Sequence, residues 1–160
     1  MPQITIEYMI MIPLLILQVF LFPLTAGWIM NNWADSRQTL ALRETASNVG
    51  SLVHQIYSAL NHESISAGKV TNTLEVPPSI EGYAYTGNAS LRAAEDNASK
   101  ILDITLKFEG SSVAATSSVT LGADVTWNAE STFMSNSSYA SLLAEKMPNG
   151  TVLMYFEGAD

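Results

Sequence analysis

From Met9 to Met30 the chain reads MIMIPLLILQVFLFPLTAGWIM, 22 residues without a charged side chain. At a rise of 1.5 Å per residue a helix of this length is about 33 Å long, enough to cross the hydrocarbon core of a bilayer. A helix that is apolar on every side needs lipid, or a bundle of other helices, around it. Pro13 and Pro23 interrupt the run. An interior proline costs about 3 kcal/mol in a water-exposed helix. Spans in lipid or in a tight bundle tolerate it, because neighbours re-satisfy the freed carbonyls.

Beyond Ala34 the pattern changes. Leu42, Ala46, Val49, Val53, Ile56 and Leu60 recur at intervals of three and four, one face of an amphipathic helix. Arg37, Arg43, Glu44, Ser47, Asn48 and Ser51 fill the other positions. The spacing predicts one helix from Ile6 to His62, on the order of 85 Å long. Globular helices average three turns, so this length implies anchoring or assembly. Gly50 is a weak point, worth about 1 kcal/mol against Ala. The expected organisation is an apolar helix over 1–34, an amphipathic continuation over 35–66 and a β-rich head over 67–160. The fold class is α+β, with an antiparallel sheet seated on the amphipathic half of the helix.

Within the head, Lys69–Val76 alternates loosely and Pro77-Pro78 stops it. Ile80–Thr86 reads as a strand and Gly87-Asn88 as a turn. The clearest strand is ILDITLKF, with Ile104, Leu106 and Phe108 on one face and Asp103, Thr105 and Lys107 on the other. Val113–Leu121 returns after Gly110-Ser111-Ser112. Val125–Trp127 is a short strand and Ser141–Lys146 a helical turn. Asn149-Gly150 is a hairpin signal leading into Thr151–Phe156.

Net charge is −8, and from Ser64 onward eleven acids face five bases. That balance argues against phosphate backbones and anionic lipid, which call for clustered Lys and Arg. The aromatics lack interleaved bases, so nucleic-acid stacking is not expected. The absence of Cys removes disulfides, thiol catalysis and thiolate metal sites. No P-loop, G-x-S-x-G, G-x-G-x-x-G or H-E-x-x-H occurs. His54 and His62 are read as solvated or packing residues, and Glu95-Asp96 as a solvated turn in preference to a Ca²⁺ loop. The expectation is a non-enzyme with no cofactor and no metal site.

Three readings of the N-terminal segment compete. A cleaved secretory signal should carry Lys or Arg before its apolar run, whereas the one charge there is Glu7. In an ordinary membrane anchor, Arg37 and Arg43 favour holding the C-terminal side inside the cell. A head rich in glycan acceptors belongs outside. The third reading is a helix that starts in the membrane and is later drawn into a filament. Gln3-Ile4-Thr5-Ile6-Glu7 resembles the Q-x-S-x-E pattern of archaeal class III prepilins, with Thr5 for Ser and with Met1-Pro2 where Lys/Arg-Gly is usual. The layout of helix, Pro-Pro, Ile80–Tyr85, ILDITLKF and terminal strand is similar to that of archaeal type IV pilins.

The resemblance implies cleavage before Gln3 by a prepilin peptidase and export by pilus assembly machinery. It implies a membrane-inserted precursor and an extracellular cell-surface filament of identical subunits. Glu7 would pair with the N-terminus of a neighbour. A plainer reading makes Glu7 a first-turn acid that favours the helix dipole.

Four Asn-x-Ser/Thr sequons occur, at Asn88, Asn97, Asn136 and Asn149, all in the head. With ten Asn and 31 Ser or Thr in 160 residues, chance alone places about two. N-glycans are therefore expected, with accidental sequons as the alternative. The functional expectation is an adhesive pilin, with a monomeric membrane-anchored binding module bearing a β-sandwich-like head as the alternative.

Overall fold

The structure is a computed structural model that describes residues 3–95 and 98–158, with side chains from residue 9 onward. Helix α1 spans Gln3–Leu60, 58 residues with Pro13 and Pro23 inside it. The chain divides into two compact units, Met1–Arg37 and Gln38–Asp160. The described part of the first is helix alone. The second joins the remainder of α1 to eight strands.

In the second unit the amphipathic face does what its spacing requires. Leu42, Ala46, Val49, Val53, Ile56 and Leu60 are all buried, joined by Tyr57. The helix ends at Leu60, two residues short of the expected point. Asn61 N–H still donates to the Tyr57 carbonyl, and His62–Ser64 then turns away, with Ser64 N–H donating to His62 Nδ1 at 3.3 Å.

The strands form two four-stranded sheets. One has the order β1 (Gly68–Thr73), β7 (Ser141–Lys146), β8 (Val152–Glu157), β5 (Val125–Trp127). Its pairs are antiparallel except β5 with β8, which run parallel. The other has the order β4 (Ala114–Gly122), β3 (Ser99–Phe108), β2 (Tyr85–Ala93), β6 (Thr132–Met134), and is antiparallel throughout. The inner faces of both sheets and the buried face of α1 make one core. β3 alternates as its sequence demands: Leu102, Ile104, Leu106 and Phe108 are buried, Asp103, Thr105 and Lys107 are not. The hairpin between β7 and β8 turns at Asn149-Gly150, where Gly150 has φ 87° and Met147 N–H bonds the Thr151 carbonyl at 2.8 Å.

Three local expectations are corrected. Gly87-Asn88 is not a turn but the middle of β2, paired on both sides with β3 and β6. Gly87 is needed there because a Cβ would run into the Phe133 ring and would sit 2.8 Å from Leu106 Cδ2. The turn lies earlier. Ile80 and Tyr83 exchange two backbone bonds of 3.0 Å around Glu81 (φ 51°) and Gly82 (φ 85°), so Ile80–Ala84 is not strand. Ser141–Lys146 is not a helical turn but β7, hydrogen-bonded on one side to β1 and on the other to β8. Leu, Ala, Glu and Lys favour helix by intrinsic propensity, and two flanking ladders override it.

Gly87→Ala places a methyl group inside the Phe133 ring. Overpacking of this kind destabilises by about 1–3 kcal/mol, so chemical unfolding of the full chain in detergent, followed by near-ultraviolet circular dichroism, should shift to lower denaturant with a loss of unfolding free energy in that range.

Candidate functional site

The first unit presents the feature that most needs a partner. Every described residue of α1 from Met9 to Thr25 is exposed, as are most of those up to Arg37. Phe20 is 67% exposed, Trp28 69% and Trp33 72%. The described helix from Met9 is long and apolar enough to cross a membrane, and none of its most apolar stretch is buried. Trp28 and Trp33 come just before the point where charge returns at Asp35 and Arg37, the position that amphipathic rings favour at an interface.

Polar groups within the apolar run are handled locally where they can be. Thr25 Oγ1 bonds the carbonyls of Leu21 (3.0 Å) and Phe22 (2.9 Å). Just past the run, Ser36 Oγ bonds the Asn32 carbonyl (2.8 Å). Such back-bonding lets a hydroxyl sit in an apolar environment without another partner. Pro13 and Pro23 bring no N–H, so the carbonyls four residues earlier, on Met9 and Val19, lose their ladder donors.

Gln3 and Glu7 lie in the first turns of α1, and their side chains are outside the described residues. Three sequons are placed. Asn88 is exposed on the outer face of β2, Asn136 is exposed in the loop after β6, and Asn149 is exposed in the β7–β8 turn, where its Oδ1 accepts the Thr151 N–H at 3.0 Å. Asn97 and Asp96 lie outside the described residues. The structure does not bring Asn88, Asn136 and Asn149 into one site; they sit on separate strands and loops.

The second unit holds a polar clamp that the sequence did not announce. Tyr57 OH donates to Asp124 Oδ1 at 2.6 Å and accepts from Asn61 Nδ2 at 3.1 Å. This ties α1 to the β4–β5 loop across 67 residues of sequence. A side chain at Gly122 would collide with the Tyr57 hydroxyl and stand 2.7 Å from Asp124 Oδ1, so glycine leaves the slot open. Burial, then the bond to Asp124, pushes the Tyr57 phenol up to about 12. Burial alone does the same to Tyr85, whose OH donates to the Pro77 carbonyl at 2.8 Å. On the outer face of the second sheet, Arg92 Nε (2.7 Å) and Ser118 Oγ (2.5 Å) both donate to Asp103, and these bonds hold its carboxyl below the usual range.

Among the described residues no three of His, Asp and Glu converge in a way that could hold a metal. His62 Nδ1 and Ser64 Oγ are 2.8 Å apart, and His54 Nδ1 and Ser58 Oγ 3.4 Å, so each histidine has a serine neighbour close in sequence. No protein-family model, no curated protein and no solved structure matches the chain.

The two raised tyrosines give the fold an alkaline limit. A phenol whose folded pKa exceeds its unfolded value of about 10 contributes stability that is complete below pH 10 and is lost as pH rises towards 12. Tyrosinate absorbance should show a late step from Tyr57 and Tyr85 near pH 12, together with loss of the near-ultraviolet signal. Tyr57→Phe should make the loss of stability between pH 10 and 12 shallower.

Proposed function

We propose that the chain is a structural subunit of the type IV pilin kind, which polymerises through its apolar N-terminal helix into an extracellular filament of archaeal type, with cell adhesion as its role. The observation that carries this reading is the uncovered apolar surface of Met9–Ala34, on a helix whose continuation is built into the core of a β-rich unit. Lipid satisfies that surface before assembly and the helices of other copies satisfy it afterwards. The Gln3–Glu7 pattern, placed directly before the charge-free run, favours the filament over a permanent anchor.

In this reading Glu7 seeks the N-terminal ammonium of a neighbouring copy. Burying a carboxylate among apolar helices costs several kcal/mol unless it is paired. Prepilin peptidase and the pilus assembly machinery act on the membrane-inserted form. Contacts between identical subunits that do not close on themselves generate an open fibre.

Glu7→Lys should leave membrane insertion intact and abolish sheared filaments, as judged by electron microscopy and by pelleting of material sheared from cells. Normal filaments from the Lys variant would end the pairing role. The same fractionation tests the alternative, a tethered monomer. Such a chain dissolves in mild detergent as a small particle and leaves the sheared fraction empty.

Asn88, Asn97, Asn136 and Asn149 are proposed N-glycan acceptors. The intact mass of chains recovered from cells should exceed that of the bare polypeptide and fall stepwise with Asn88→Gln, Asn136→Gln and Asn149→Gln. A mass equal to the bare chain would reject modification.

A further inference from the structure

The free edge of the sheet β4-β3-β2-β6 is open to another strand. Two backbone bonds fix which way each residue of β4 points. Phe108 N–H donates to the Val113 carbonyl at 3.2 Å, and Ala94 N–H to the Ser99 carbonyl at 3.0 Å. They extend the ladders of β3 with β4 and with β2 in register. Bonded and non-bonded pairs alternate along an antiparallel ladder. Ala115, Ser117, Val119 and Leu121 therefore bond to β3, whereas Thr116, Ser118 and Thr120 turn their N–H and C=O groups away from it. The hydroxyls of Thr105 and Thr116, 2.9 Å apart, agree, because side chains come closest at non-bonded pairs. All three outward residues are exposed, and no other described residue bonds their backbone.

β4 is nine residues long, contains no charge and no proline, and stays in register with β3 over nine pairs without a bulge. Native sheets blunt their edges with lysine, proline, bulges or brevity. The other edge strands of the two sheets do so. β1 carries Lys69, and β5 and β6 have three residues each.

We propose that β4 is a docking edge for β4 of a second copy of this chain, paired antiparallel about a two-fold axis at Ser118. The lack of charge on β4 permits this occupant, and its self-complementary register selects it. Copies carrying −8 each repel one another, and like charges directly opposite destabilise a strand pair, yet β4 against β4 brings no charge together. The pairing is also complementary to itself. Ser118 faces the second copy's Ser118 and Thr116 faces the second copy's Thr120, so each outward N–H meets a carbonyl and hydroxyls meet hydroxyls. On the inner side Ser117 and Val119 border a groove with Ser47, Gly50, Ser51 and His54 of α1, which receives the inward side chains of the added strand. The contact is isologous. It does not depend on the filament reading; in a filament whose subunits all point one way, it joins separate filaments and not successive subunits.

The full chain has no cysteine, so single cysteines report the register directly. Bonded antiparallel pairs hold Cα atoms about 5.5 Å apart, within disulfide reach. Under mild oxidation of the detergent-solubilised chain, Ser118→Cys should give a covalent dimer. Thr116→Cys and Thr120→Cys should not dimerise alone but should cross-link when mixed. Adding Thr120→Pro to Ser118→Cys removes an outward donor and leaves the β3 ladder intact. It should lower the dimer yield to that of Lys107→Cys, a control on the same face away from the edge, with unchanged circular dichroism. A Ser118→Cys yield no higher than the Lys107→Cys control would overturn the proposal. So would equal dimerisation of Thr116→Cys by itself, or preferential cross-linking of Ser118→Cys to Thr71→Cys, which assigns the edge to β1.

Discussion

The core of the second unit depends on α1 occupying the space between two sheet edges. Asn48, Val49 and Leu52 lie along Asn72–Val76 at the end of β1. On the other flank a Cβ at Gly50 would have ordinary contacts with Ile104 and Val119, at 3.6 and 3.8 Å. With Leu42, Ala46, Val49, Val53, Ile56 and Leu60 turned inward, the helix seals the side of the sandwich that β1 and β4 leave open. The position that looked weakest in the helix, Gly50, is buried against Ile104 of β3 and Val119 of β4. A methyl group would fit there, so the packing does not offset its propensity cost of about 1 kcal/mol.

A chain without disulfides still has to hold its loops. Long-range polar bonds serve here. Ser135 Oγ donates to the Pro78 carbonyl (2.9 Å), beside the bond from Tyr85 to Pro77, so the Pro-Pro segment is fastened to β2 and to the turn after β6. Lys100 Nζ reaches the Val125 carbonyl (2.6 Å) and Lys146 Nζ the His62 carbonyl (3.2 Å). Lys146 is 8% exposed, so its stem packs against apolar neighbours while the ammonium finds an oxygen. Two of the five bases from Ser64 onward are thus engaged with carbonyls, which accounts for them without any anionic partner.

Elements governed by local pattern were legible in the sequence. The helical face from Leu42 to Leu60, the alternation of β3, the short β5 and the turn at Asn149-Gly150 each follow from spacing within a few residues. What depended on distant partners was not. Ser141–Lys146 has helical propensity and becomes a strand because β1 and β8 flank it. Gly87 reads as a turn until Phe133, 46 positions later, is seen to need the space. The parallel pairing of β5 with β8 and the unpaired groups of β4 depend on strand order, which no local window contains. Of the candidate residues, Glu7 and the sequons came from motifs, and Tyr57, Gly122 and Asp124 carried no motif by which to find them.

Pro13 and Pro23 have a mechanical consequence. At Met9 and Val19 a carbonyl already lacks its ladder donor, so a bend there breaks no intact hydrogen bond, whereas a bend elsewhere in α1 stretches one. Kinks in long helices concentrate at such positions. The apolar tract is uniform in composition but not in stiffness: under load it flexes first at two points ten residues apart, and it behaves as a jointed rod.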